Sequence, residues 1–94
     1  MHFFLKLIAS RPTFAQDMTP DERAIMNQHV IYWKALMADG KVVVFGPVMD
    51  PAGPYGMGVV SVGSEPEVQE LMASDPATAI LRYECYPMRA VLPG

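Results

Sequence analysis

The chain has 94 residues, of which 51% are hydrophobic and 18% charged, with a formal net charge of −3; this suffices for one hydrophobic core, residues 1–94 forming a single domain, and is too short for two. Seven scattered Lys and Arg residues form no basic stripe, which excludes nucleic acid and anionic membrane surfaces as partners. Cys85 is the sole cysteine, so no internal disulfide can form, and a reducing, cytoplasmic setting is expected.

The run from His2 to about Ala9 lacks a basic leader, is broken by Lys6 and is too short to cross a bilayer. It reads as a first strand, with Phe3, Leu5 and Leu7 on one face and Phe4 and Ile8 on the other, both faces expected to be buried. Ser10 to Met18, with Pro12 and no clean period, reads as a loop. A helix start follows at Thr19-Pro20-Asp21-Glu22, where Thr19 caps, Pro20 takes the first helical position and Glu22 completes a capping box. The helix should run to Ala38 or Asp39, because Gly40 supplies the positive-φ residue that commonly follows a helix end.

Lys41 to Phe45 is short and β-branched and predicts a second strand. Gly46 to Gly56, dense in Pro and Gly, reads as an extended hairpin connection able to rim a pocket. Met57 to Val62 gives a third strand, and Ser64-Glu65-Pro66-Glu67 repeats the capping-box pattern at the start of a shorter helix through Val68, Leu71 and Met72. Asp75-Pro76 ends that helix, since the residue before a proline avoids the helical region. Leu81 to Val91 forms the fourth strand, with Pro87 best accommodated at an edge or bulge.

The order is βαββαβ, which right-handed crossovers fold most simply into a four-stranded antiparallel sheet with both helices on one face, the ferredoxin-like α+β arrangement. The opposite sheet face would then be open although the strands are apolar on both sides. A homodimer packed through that face is the expected outlet.

Along the long helix Ile25, Met26, Val30, Trp33, Leu36 and Met37 fall on one stripe, with His29 at its centre. A titratable ring is an odd choice there, because burial penalises its charged form and each ring nitrogen wants a partner. Periodicity alone favours a neutral core histidine bonded to a backbone carbonyl or a water. The topology, however, gathers Ser10-Arg11, Gly46-Pro47 and Ser74-Asp75-Pro76 at one sheet edge near the start of that helix. Asp75 alone reads as a turn or cap residue and Arg11 as a solvated loop charge. His29 also lies ten residues after Thr19, roughly 15 Å along the axis, so a pair with Asp75 requires the helix to begin well above the sheet.

His29 followed by Tyr32-Trp33 and Leu36, then Gly40, Phe45-Gly46-Pro47, an acidic and Gly-containing turn at 50–56, Ser74-Asp75-Pro76 and Tyr86-Pro87 give the chain a pattern that resembles the YciI-like (YCII-related) proteins over nearly its whole length. The resemblance implies a ferredoxin-like fold of the dimeric α/β barrel type and an active site built on a His–Asp pair, landing here on His29 and Asp75.

In such a pair Asp75 would orient the ring and the neutral imidazole would take a proton from a bound substrate. Trp33 would wall the pocket with an aromatic face, and Gly46, Pro47 and Arg11 would border the substrate. No nucleophile presents itself: Cys85 falls within a predicted strand and no serine lies in a nucleophile elbow. His2 and His29 share no metal-ligand spacing, so neither metal nor cofactor is expected. Two readings result. One is a proton-transfer enzyme, lyase or isomerase, acting on a small cyclic or carbonyl compound; the other is a non-catalytic dimeric module that binds a small ligand or a partner in the same cleft.

Overall fold

The computed structural model describes all 94 residues. The elements are β1 (His2–Ala9), a one-turn helix α1 (Phe14–Asp17), α2 (Pro20–Ala38), β2 (Val42–Val48), β3 (Tyr55–Ser61), α3 (Glu65–Ala73), a 3₁₀ turn (Pro76–Ala79) and β4 (Leu81–Met88). The strands form one sheet in the order β2-β3-β1-β4, and every neighbouring pair is antiparallel. This is the expected ferredoxin-like α+β arrangement. No helix is long and apolar enough to cross a membrane.

The helix ends follow the local chemistry closely. Thr19 Oγ1 accepts from the Glu22 backbone N–H at 3.1 Å while the Glu22 carboxylate accepts from the Thr19 N–H at 2.9 Å, a complete capping box at the start of α2. At its other end Gly40 takes φ +77°, and the N–H groups of Gly40 and Lys41 satisfy the carbonyls of Met37 and Leu36. At α3 only half the box forms: Ser64 Oγ accepts from Glu67 N–H at 3.3 Å, and Glu67 makes no return bond.

Several expectations are corrected. The 10–18 segment is not all loop, because Phe14, an apolar residue buried to 9% exposure, anchors the single turn α1. The hairpin connection is shorter than predicted, since β2 continues through Gly46 and Pro47 to Val48 and β3 begins at Tyr55. Pro47 is tolerated because β2 is an edge strand and needs no ladder donor on its outer side. The helix-facing residues of β1, Phe3, Leu5 and Leu7, are sealed, whereas Phe4 and Ile8 on the other face are only half-buried in the single chain. That outer face also carries Val44 and Tyr86, both about half exposed; register pairs Val44 with Val59, Val59 with Phe4, and Phe4 with Tyr86. β4 ends at Met88, short of Val91, and Pro87 lies on it at the other sheet edge.

The core lies between the sheet and the helices and is built on Phe3, Leu5, Trp33, Val60, Val62, Val68, Leu71 and Met72. The predicted α2 stripe is narrower than its sequence suggests: only His29 and Trp33 are buried, and Val30 and Met37 reach solvent. Trp33, 1% exposed, lies directly on the backbone of Gly58. A Cβ at position 58 would stand 2.3 Å from the indole, well inside van der Waals contact, so the sheet must be bare there. Gly58→Ala should therefore cost about 1–3 kcal/mol through overpacking. Chemical denaturation followed by the fluorescence of Trp33, the sole tryptophan, measures this and should show a changed native-state spectrum as the indole is displaced.

Candidate functional site

The 3₁₀ turn after α3 lies against the middle of α2, and Asp75 is the residue that joins them. Its backbone is extended (φ −73°, ψ 126°) immediately before Pro76, as the proline requires. Its Oδ1 caps the turn by accepting from Ala77 N–H at 2.9 Å. Oδ2 is left to point into the protein. There it meets His29 Nδ1 at 2.8 Å and accepts from Trp33 Nε1 at 2.9 Å and from the Tyr83 hydroxyl. His29 and Trp33 are one helical turn apart and project from the same face, while Tyr83 arrives from β4 beside them. The Trp33 N–H also reaches the Tyr83 oxygen at 3.1 Å.

Asp75 is 1% and His29 8% exposed. Burial alone would push the Asp75 carboxyl up, but the hydrogen bonds from His29, Tyr83, Ala77 and Trp33 outweigh it and hold the group below its ordinary value. The same burial, with the adjoining carboxylate, pushes the Tyr83 phenol far up, so it stays a donor. An ionised Asp75 can only accept, so His29 Nδ1 must carry a hydrogen. The lone pair of the neutral ring is then on Nε2, which has no protein partner and is not sealed from solvent.

His29 lines a cleft of about 270 Å³ whose walls are almost wholly apolar, including Phe14, Met26, Trp33, Phe45 and Tyr55. Gly46 and Pro47 form part of its rim. Arg11 lies outside it: its guanidinium forks onto Glu22 at 2.7 and 3.0 Å and bonds Asp17 at 2.8 Å, clamping α1 to the first turn of α2. Of the residues singled out in the sequence, His29, Asp75 and Trp33 are in direct contact, Gly46 and Pro47 border the cleft, and Arg11 belongs to this separate network. The separation between Thr19 and His29 is resolved because the 3₁₀ turn docks against the middle of α2 rather than its start. Tyr83 was not anticipated, although alternation in β4 puts it opposite Leu7 on the helix-facing side.

Cys85 is partly buried, and burial followed by the nearby Glu65 raises its thiol pKa, which disfavours the nucleophilic thiolate. No group of three or more His, Cys, Asp or Glu side chains converges to hold a metal ion.

The model of the YCII-related domain matches residues 2–92. The chain belongs to the YCII-related family. Among solved structures it is similar to 5-chloro-2-hydroxyhydroquinone dehydrochlorinase from Burkholderia phenoliruptrix AC1100, a structure in complex with 2,5-dihydroxybenzoquinone, with a TM-score of 0.65 and 20% identity over 93% of each chain. That likeness establishes a shared fold. A search of the curated proteins found no match.

The Arg11 clamp has a pH signature. Hydrogen bonds from Arg11, then from the Thr19 backbone, pull the Glu22 carboxyl down to about 2 from its ordinary 4.5. Its folded value lies below its unfolded one, so the stabilisation is complete above pH 4.5 and is lost as pH falls towards 2. Glu22→Gln retains a residue that can complete the capping box but loses the charge. Thermal melts should show the variant melting below wild type at neutral pH, with the gap closing across that acid window.

Proposed function

We propose that this member of the YCII-related family is a small-molecule enzyme that moves a proton, of the lyase or isomerase type, with His29 as general base and Asp75 as the group that orients it. The observation that carries the reading is the division of the imidazole: Nδ1 is tied to a buried carboxylate, while Nε2, unpartnered and not sealed, belongs to a ring that lines an apolar cleft. A ring serving only the core would have both nitrogens satisfied or sealed. Here the acceptor nitrogen is kept for something outside the chain.

The step is a transfer of hydrogen from a C–H or O–H group of the bound compound to Nε2. The pair of electrons left behind moves into an adjacent carbonyl or ring system. Asp75 lies against the imidazolium so formed and stabilises its charge in a site largely withdrawn from water. The proton then goes back to a second carbon in an isomerisation, or leaves with a departing group in an elimination. Neither route needs a nucleophile. The dehydrochlorinase that shares the fold names a reaction of the second kind, which favours a lyase-type chemistry on a small cyclic compound for this chain too. Gly46 and Pro47 at the rim and Trp33 in the wall would border the substrate.

The active form we propose is a homodimer joined through the outer sheet face, where Phe4, Val44, Val59 and Tyr86 adjoin across the strands. Sedimentation at micromolar concentration should give a dimer, and replacing Val44 and Tyr86 together by Glu should give a monomer.

Proton transfer can be tested before the substrate is known. Solvent-deuterium incorporation into a panel of cyclic ketones, quinols and halogenated phenols, followed by NMR, should find compounds exchanged by the wild-type protein. His29→Gln should slow that exchange by about 10²–10⁴-fold and Asp75→Asn should slow it as well, with circular dichroism verifying that both fold. A panel in which no member exchanges faster with wild type than with His29→Gln would favour the non-catalytic ligand-binding reading.

A further inference from the structure

None of the side chains lining the His29 cleft carries a formal charge, and only His29, Trp33 and Tyr55 among them carry a polar atom. Trp33 Nε1 is already committed to Asp75 and Tyr83. The nearby cations do not line the cleft and already have partners: Arg11 is paired with Glu22 and Asp17 and lies 5.3 Å over the Phe14 ring, and Lys6, which lines a separate hollow, lies 4.5 Å over the Tyr55 ring. With a neutral ring the His29–Asp75 pair carries one negative charge, and with a protonated ring it carries none. An anionic ligand would thus lose its hydration with no charged lining side chain to meet it, and the ionised Asp75 behind His29 would repel it. A cation would find its only opposite charge, Asp75, buried behind His29 and already holding four donors.

We infer that the cleft selects uncharged, flat, one- or two-ring compounds that present a single hydroxyl or enol hydrogen to His29 Nε2, and that it rejects carboxylates, phosphates and ammonium compounds of the same shape. The volume of about 270 Å³ falls just below the usual range for drug-sized ligands, roughly 300–1,000 Å³, which sets the ring limit. Phe14, Trp33, Phe45 and Tyr55 supply aromatic faces for a flat body. Met26 and Met57 supply side chains that adjust to its outline. Specificity would then come from exclusion of charge and from one hydrogen bond.

Four probes of one shape separate these factors: 4-methylphenol, 4-methylanisole, 4-methylbenzoate and 4-methylbenzylammonium. The indole N–H resonance of Trp33, the sole tryptophan, reports occupancy at the site in an NMR titration at pH 7. The phenol should shift that resonance and bind about 3- to 10-fold more tightly than the anisole, which has no hydrogen to donate. The benzoate and the ammonium compound should bind at least about tenfold more weakly than the phenol. Met26→Arg, which brings a cation to a partly exposed position on the cleft wall, should narrow or invert the preference of phenol over benzoate. Benzoate or ammonium binding as tightly as the phenol to wild type overturns the inference, as does a phenol that leaves the Trp33 resonance unmoved. The inference rests on the proton-transfer reading for the orientation of the ring but is read out by binding. A phenol preference without any turnover would remove the enzyme reading alone; His29-dependent exchange without the preference would remove this one alone.

Discussion

A carboxylate that is 1% exposed must be met by donors on every side or it will not stay ionised, and much of the fold around the cleft is arranged to meet Asp75. Its four partners come from three places: the 3₁₀ turn that it caps, the middle of α2 through His29 and Trp33, and β4 through Tyr83. No buried side-chain nitrogen or oxygen in the protein is left without a partner. The network therefore avoids the penalty of a half-satisfied polar core and fixes a geometry that apolar packing alone leaves loose. Sliding α2 by one residue along its axis would take both His29 and Trp33 away from the same oxygen.

Asp75 sets the position of α2, and Gly58 sets its height. The Trp33 indole reaches the carboxylate only because the sheet offers bare backbone beneath it. The contact with Phe45, ring centroids 5.5 Å apart, then holds the indole from the β2 side. Trp33 consequently belongs to the core, the polar network and the cleft wall together. On the open side of the cleft the division of labour differs: Phe14 fills the wall, while Arg11, Asp17 and Glu22 tie its helical turn to the capped start of α2 with charge-assisted hydrogen bonds.

The parts of this arrangement that were legible in the sequence are those governed by local rules. The capping box at Thr19 and Glu22, the Gly40 terminator, the succession of strands and helices along the chain and the oddity of His29 on an apolar stripe each depend on a few adjacent residues or on one period. The β1–α2 connection was opaque because a single helical turn has no period to detect, and it is held by the burial of Phe14 and by the Arg11 hydrogen bonds to Asp17 and Glu22. Gly46 and Pro47 read as breakers, yet an edge strand accommodates both. Arg11 was assigned to the wrong neighbourhood because its partners, Asp17 and Glu22, are close in sequence but brought together only once α1 forms. Tyr83 escaped notice since nothing in a strand's alternation says which buried hydroxyl will find a carboxylate 8 residues away.

The chemistry open to the site is narrowed by the tautomer. Had His29 met a donor at Nδ1, its acceptor lone pair would be consumed inside the protein and Nε2–H would face the cleft, suiting it to donate a hydrogen bond to a substrate oxygen. A carboxylate at Nδ1 enforces the opposite assignment. In the neutral ring the lone pair is then on Nε2, and on the proposed reading the charge created when it takes a proton would develop beside Asp75. On the proton-transfer reading proposed above, the same carboxylate that organises the fold would also determine which hydrogen the site removes. That hydrogen would come from a ligand lying against the apolar wall that His29 shares, where little water competes to receive it.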